Sequence, residues 1–221
     1  FKGPDARKFL DHIMAGRLPK PGRISLSPML SYRGKLCGDL TVACLDENEF
    51  MVFGSGAAQE MHRRWFESHL DKFNLNYKNR SDEFHGLSIA GPNSRKVLEK
   101  IVRDDVSNEK FKFRDSRRMF VGGVPAIINR ISFTGELGYE IYVAPHYQLK
   151  LYEELMEAGK EFNIKPFGGR ALMSMRLEKN WGAWTLDYRP DFTAKETGLD
   201  AFINWDKEFI GKESAQKENS S

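Results

Sequence analysis

Residues 131–143, ISFTGELGYEIYV, constrain the chain more than any other stretch. They read as strand, tight glycine turn, strand. Gly135 and Gly138 permit backbone angles that other residues resist, so a sharp bend fits there. In the second arm Tyr139 and Ile141 fall on one side, Glu140 and Tyr142 on the other. One acid, Glu140, thus stands mid-strand on a chosen face. Such a carboxylate is either solvated on an outer face or paired with something buried. Taken alone, the outer face is the commoner outcome.

A second copy changes that weighting. Residues 31–42 (SYRGKLCGDLTV) align with residues 132–143 (SFTGELGYEIYV) at a shift of 101, and Asp39 falls on Glu140. Residues 3–14 (GPDARKFLDHIM) align with residues 91–102 (GPNSRKVLEKIV) at a shift of 88. The order is the same in both halves: a Gly-Pro helix start, then an SxxGxL turn leading to an acid. The shifts differ by about one loop, as diverged halves would. The expected pseudo-repeats are residues 1–83 and 84–180. Duplicated halves bring equivalent strands together about a pseudo-twofold axis, so the expectation is that Asp39 and Glu140 face one cavity.

At 221 residues the chain is long enough to bury a sizeable core. Its 34 basic and 31 acidic residues nearly balance, which makes no case for nucleic acid or a membrane surface as partner. Two cysteines, Cys37 and Cys44, share one expected hairpin and read as free thiols of a reducing cytoplasm. No apolar run reaches transmembrane length, and no signal peptide is visible. The first residue is Phe and a helix start follows almost at once, so the chain reads as a piece of a longer protein.

Helices are expected over residues 5–14, 57–70, 93–102, 147–162 and 167–180. The second of these would turn Met61, Trp65 and His69 inward. Residues 18–28 read as irregular, 28–45 as a hairpin around Gly34, and 50–54, 74–78 and 84–90 as strands. Residues 119–121 and 124–132 flank a Gly122-Gly123 turn. Residues 181–200 read as irregular and aromatic-rich, and 212–221 as a disordered tail after a domain of residues 1–211. Strands paired in hairpins, with helices after groups of strands, favour an α+β fold with antiparallel sheets over a doubly wound one.

Gly54-Ser55-Gly56 follows an apolar strand and precedes a helix, as a dinucleotide loop does. The third glycine position is Gln59, so a turn is the preferred reading. The five histidines and two cysteines have no ligand spacing, and no metal site is expected. Neither GxSxG nor a Cys/His pairing suggests a covalent nucleophile. A carboxylate at Asp39 or Glu140 suits two jobs. It accepts two parallel hydrogen bonds from an amidine-like edge such as a 2-amino-pyrimidinone, or it serves as a general base with a pKa tuned by burial. Arg170, after Gly168-Gly169, reads either as a solvated helix-terminus arginine or as a clamp for a ligand carboxylate. Trp181, Trp184, Tyr188 and Trp205 read as satellite core or as a stacking surface for a flat heterocycle.

At these residues the sequence resembles the folate-binding aminomethyltransferase family, which includes the T-protein of glycine cleavage and the folate domains fused to dimethylglycine and sarcosine dehydrogenases. The motifs that carry the resemblance are GPDARKFL, RGKLCGDLTV, SIAGPNSRKVL, SFTGELGYEIYV, GGRALMSMRLEK and ETGLDAFINWDKEFIGK. They span nearly the whole chain in the family's order. The resemblance implies a duplicated α+β folate-binding fold. It implies transfer of a one-carbon unit from an amine-derived donor to tetrahydrofolate, giving 5,10-methylenetetrahydrofolate. By the same resemblance Asp39 is the catalytic acid beside the reactive folate nitrogens, and Glu140 and Arg170 are folate-binding. FAD is expected only in an upstream domain outside this chain.

Residues 182–202, GAWTLDYRPDFTAKETGLDAF, resemble the dehydrogenase-fused branch. A flavin-dependent dimethylglycine or sarcosine dehydrogenase-like protein is therefore the expected parent, cytoplasmic or, in a eukaryote, in the mitochondrial matrix. Phe133 stands where many relatives have Tyr, so a hydroxyl contact is absent there. The family's N-terminal start before Gly3 and its small barrel after residues 209–212 are both missing. The alternatives are a stand-alone aminomethyltransferase working on a lipoyl carrier protein, a demethylase with a sulfonium donor, and a non-enzymatic folate-binding module. The last carries a cysteine motif not found around Cys37 or Cys44.

Overall fold

A computed structural model describes residues 1–219. In chain order the elements are α1 (Ala6–Ile13), β1 (Arg23–Leu30), β2 (Leu36–Asp46), β3 (Glu49–Phe53), α2 (Gln59–Glu67), β4 (His85–Ala90), α3 (Ser94–Ile101), β5 (Ser116–Val121), β6 (Val124–Asn129), β7 (Gly138–Val143), α4 (Gln148–Gly159), α5 (Gly169–Glu178) and α6 (Lys212–Asn219). The strands form two antiparallel sheets, ordered β1-β2-β3 and β4-β7-β6-β5. This is the expected α+β class. The chain divides into two compact units: Phe1–Asn79 with the segment from Gly182 onward, and Arg80–Trp181.

In the first unit, Phe9, Leu10 and Ile13 on α1 pack against Leu40, Val42 and Cys44 on β2 and Phe66 on α2. The last turn of α1 leaves carbonyls without helical partners. Lys207 supplies them: its Nζ donates to Asp11 O at 2.7 Å and Met14 O at 2.6 Å. In the second unit, Val97 and Leu98 on α3 and Leu151 and Leu155 on α4 close over Ile128, Tyr139, Ile141 and Val143 of the sheet.

The duplication is written in the hydrogen-bond registers. In the β1–β2 hairpin Ser25 pairs with Val42, Ser27 with Leu40 and Pro28 with Asp39. In the β6–β7 hairpin Ala126 pairs with Val143, Ile128 with Ile141 and Asn129 with Glu140. Every residue of the first set maps onto the second at the same shift of 101. The shift of 88 carries α1 onto α3 residue for residue. Even the residues before the two helices agree, Asp5 at φ −97°, ψ 7° and Asn93 at φ −97°, ψ 1°. The mismatch between the shifts is more than a loop, because the second half inserts a whole strand, β5, between its helix and its hairpin.

Several expectations are corrected. Residues 131–137 are not a strand arm. β7 pairs with β6, and the intervening segment is a loop in which Ser132 Oγ donates to Glu136 O and Gly135 takes φ +84°. Residues 18–28 are not wholly irregular, since β1 starts at Arg23. Residues 74–78 form no strand; Asn76 makes an isolated bridge with Lys2. On α2 the buried residues are His62 and Phe66, while Met61 is 39% exposed. The tail expected to be disordered is helical as α6 through Asn219, and residues 220 and 221 lie outside the described residues. Ala215 is buried, Ser214 Oγ donates to Tyr32 O at 2.8 Å, and Lys35 pairs with Glu218 at 2.9 Å.

That docking leaves no room at the hairpin turn. A Cβ on Gly34, which has φ +76°, would stand 2.6 Å from the backbone nitrogen of Ala215. Gly123 has a similar φ of +79° with nothing within 4 Å. Gly34→Ala is therefore expected to lower stability by roughly 2 kcal/mol or more, and Gly123→Ala by about 1 kcal/mol from backbone strain alone. Urea unfolding of the two variants checks the difference; equal losses would mean that α6 does not press on the turn.

Candidate functional site

Alternation along β7 separates two environments. Tyr139, Ile141 and Val143 are fully buried in the core, and Glu140 and Tyr142 project from the other face. Glu140 is half-buried there. Tyr142 Oη donates to Glu140 Oε2 at 2.8 Å. Burial pushes the Glu140 carboxyl above its ordinary range, opposed by the Tyr142 hydrogen bond and by the Lys179 charge. Burial also drives the Tyr142 phenol well up, with Glu140 adding to the effect. Lys179 turns its ammonium inward, although the residue as a whole is exposed. Its Nζ donates to Ser132 O at 2.8 Å and stands 5.1 Å from the centre of the Trp181 ring. Burial lowers its pKa and Glu140 partly restores it.

The equivalent position in the first unit is Asp39. On β2 it shares a face with Cys37 and Thr41, opposite Pro28, while Leu36, Gly38, Leu40 and Val42 face inward. Burial raises the Asp39 carboxyl from 3.8 to about 7, and its own backbone N–H offsets only part of this. The Cys37 thiol is likewise pushed up to about 11, so it is no thiolate nucleophile at neutral pH. His62 is buried beneath the strand, with Nε2 2.9 Å from Cys37 O. Burial lowers its pKa and holds the ring neutral, so Nε2 carries the proton that it donates to that carbonyl.

His62 also explains the glycine at position 54 of the Gly54-Ser55-Gly56 turn. A Cβ on Gly54 would meet Leu40 Cδ2 at 2.5 Å and His62 Nδ1 at 3.1 Å, and one on Gly38 would meet His62 Nε2 at 2.7 Å. These glycines make room for an imidazole. Arg170 is exposed on the first turn of α5, beside Gly168 and Gly169, around which a Cβ would meet nothing within 4 Å. Trp184 and Tyr188 are buried, as satellite core residues are, and Trp181 and Trp205 are half-buried.

Glu140 and Arg170 thus belong to the second unit and Asp39 to the first. Sequence reasoning placed Tyr142 on the face of Glu140 without its hydrogen bond, and missed Lys179 and Asn129. The shared face of Tyr142 follows from its place two residues along the same strand. Asn129 was not findable, because only the β6–β7 register puts it opposite Glu140. Among the described residues no group of three His, Cys, Asp or Glu is placed to hold a metal ion, and no helix is long and apolar enough to cross a membrane.

Residues 1–207 match the family described as the GCVT N-terminal domain. Mitochondrial dimethylglycine dehydrogenase of Homo sapiens is 38% identical over 222 residues, a match covering 98% of this chain and 26% of that protein. An aminomethyltransferase of Caldanaerobacter subterraneus subsp. tengcongensis is 30% identical, covering 98% of this chain and 59% of the relative. The chain therefore spans about a quarter of the first relative and about three fifths of the second. Among solved structures, the glycine cleavage system aminomethyltransferase T from Bartonella henselae superposes with a TM-score of 0.85 over 99% of this chain and 59% of its own, at 22% identity. A heterotetrameric sarcosine oxidase from a Corynebacterium species gives a TM-score of 0.57 over 75% of this chain and 78% of its own, at 19% identity. These two likenesses show the fold.

The raised Asp39 pKa has a definite sign for stability. The folded chain holds the Asp39 proton more tightly than the unfolded chain. The ionised form therefore costs nothing below about pH 4, costs progressively more up to about pH 7, and levels off above. Asp39→Asn is expected to stabilise the fold by on the order of 2–4 kcal/mol at pH 8 and scarcely at all at pH 4. Unfolding curves at the two pH values decide it; the same increment at both would mean that ionised Asp39 is not destabilising.

Proposed function

The chain belongs to the GCVT family, the folate-binding aminomethyltransferases, and we propose that it is a tetrahydrofolate-dependent one-carbon transfer domain of a dimethylglycine or sarcosine dehydrogenase-like protein. The observation that carries this reading is Glu140. It is a half-buried carboxylate on the face of β7 turned away from the core, held at one oxygen by Tyr142. A carboxylate so held suits a planar edge with two adjacent N–H donors, as a 2-amino-4-oxo pterin presents, because two parallel hydrogen bonds fix both position and plane.

Asp39 takes the proton-handling role. A carboxyl with a pKa of about 7 is present in both protonation states at neutral pH, which is what a general acid or base requires. When ionised it also favours positive charge on the carbon in transit. Arg170, exposed on α5, is assigned the carboxylate end of the folate. Bound tetrahydrofolate supplies the nitrogens that accept the one-carbon unit. The protein otherwise contributes positioning and exclusion of water, which would release the carbon as formaldehyde. The one-carbon donor is amine-derived, and FAD belongs to an upstream part of the longer protein. The 38% identity to a mitochondrial dimethylglycine dehydrogenase supports that parent and a mitochondrial matrix location in a eukaryote. The second reading, a stand-alone aminomethyltransferase, is supported by the 30% identity to the Caldanaerobacter protein. An upstream flavin domain would separate the two.

Tetrahydrofolate titration of the full-length protein tests the assignment. Glu140→Ala is expected to weaken binding at least tenfold, the scale of one charge-assisted pair. Undiminished affinity would remove Glu140 from the site. Asp39→Ala is expected to leave affinity within a few-fold and to cut turnover by about 100-fold or more. Normal turnover in that variant would end its catalytic role.

A further inference from the structure

Four polar side chains form one row across the second unit's sheet. Ser88 on β4 pairs with Glu140 on β7, Glu140 with Asn129 on β6, and Asn129 with Ser116 on β5. Residues directly opposed across antiparallel strands project from the same face, with Cβ atoms about 5 Å apart. The row therefore lies on the face of Glu140. Its Ser88 end is exposed and its Ser116 end is buried.

Asn129 is the member whose hydrogen bonding is incomplete. It is wholly shielded from solvent. Its Oδ1 accepts from Ser116 Oγ at 2.7 Å, and its Nδ2 has no hydrogen-bond partner. A buried amide donor left in that state costs about 1–3 kcal/mol, so an apolar side chain of similar shape would be the more stable choice for packing alone. The Ser116 bond holds Oδ1 on the β5 side, which turns the NH2 group towards the β7 side, where Glu140 stands. Nδ2 is closed off from solvent and hence from a ligand, so its acceptor has to come from the protein. Glu140 offers one: Tyr142 engages Oε2, which leaves Oε1.

We infer that Asn129 is a positioning residue for Glu140, its Nδ2–H closing onto Oε1 while Tyr142 holds Oε2. The two braces fix the carboxylate plane, so a ligand with paired N–H donors meets it already oriented and need not order it on binding. The inference deepens the proposed reading of Glu140 as the ligand-binding acid and rests on it for its functional consequence. The titratable and charged groups that face Glu140 are Tyr142 from its own strand and Lys179 from beyond α5, while β4 and β6 contribute the neutral Ser88 and Asn129.

The test uses the full-length protein with tetrahydrofolate as probe and the variants Asn129→Leu, Glu140→Gln and their combination. Asn129→Leu is expected to weaken binding roughly tenfold and to move the acid limb of the binding profile to higher pH, because a carboxylate stripped of a donor is easier to protonate. In the Glu140→Gln background the Asn129 change is expected to add nothing, since the partner it orients is gone. Additive losses with an unmoved acid limb would overturn the inference. A measurement on the unmutated chain decides it even if Asn129→Leu fails to fold. The Asn129 side-chain amide resonances should shift with pH in step with the Glu140 carboxyl carbon, and an amide signal flat across that titration would refute the bracing. If Glu140→Gln binds tetrahydrofolate as tightly as the parent, the folate reading falls, while the co-titration still reports on the brace.

Discussion

Side-chain alternation along β2 and β7 is the constraint on which the rest of the molecule depends. In β7, Tyr139, Ile141 and Val143 are wholly buried, each contributing on the order of 2 kcal/mol by leaving water. A slip of one residue would expose all three and drive Glu140 into the core, so the register is held by several kcal/mol that have nothing to do with the acid. β2 works the same way, with Leu40 and Val42 inward and Asp39 outward. The candidate functional carboxylates need no stabilising interactions of their own to be placed. They are carried by strands whose opposite faces pay for the fold, and their raised pKa values follow from partial burial on the outer side.

The two halves keep this device in common and diverge around it. Their hairpins share one register shift and their Gly-Pro helices another, down to the backbone angles before the first turn. What differs is the acid's surroundings. Glu140 has β4 on one side and β6 on the other, so Ser88 and Asn129 flank it. Asp39 has Pro28 across from it on β1, and the β3 pairing begins only at Thr41. The first acid is left with few hydrogen-bonding neighbours on its strand partners and a pKa near neutrality. The second accepts a hydrogen bond from Tyr142. That asymmetry is the structural ground for the two proposed roles, proton exchange at Asp39 and ligand binding at Glu140.

How much of this was legible in the sequence depends on the range of the interaction. The faces of Asp39 and Glu140 follow from a two-residue period, and the duplication from matching letters. Asn129 and Ser88 were invisible because membership of the row is set by pairing between strands far apart in sequence. The inward face of α2 was misjudged because His62, a polar residue, is buried: it donates to Cys37 O and fits the space left by Gly38 and Gly54. The segment after Gly211 looked disordered for want of apolar residues. Its helix is held by Ala215 against Gly34, by Ser214 to Tyr32 O, and by ion pairs such as Lys217 with Glu213 at 2.7 Å. Residues 131–137 looked like a strand because apolar and polar residues alternate there too, but Gly135 in a left-handed conformation and the Ser132–Glu136 hydrogen bond bend the backbone out of strand pairing.

The route of the chain imposes an order on its assembly. The second unit is one uninterrupted stretch, whereas the first is split around it, its closing piece arriving a hundred residues late. Lys207 reaches back to Asp11 and Met14, and Leu36 N donates to Phe192 O. During synthesis the continuous unit has its whole sequence as soon as it emerges, while α1 and the first sheet lack Phe192 and Lys207 until the last part of the chain is made. Completion of the half that carries Asp39 thus depends on residues made last, whereas the Glu140 hairpin lies within one continuous stretch.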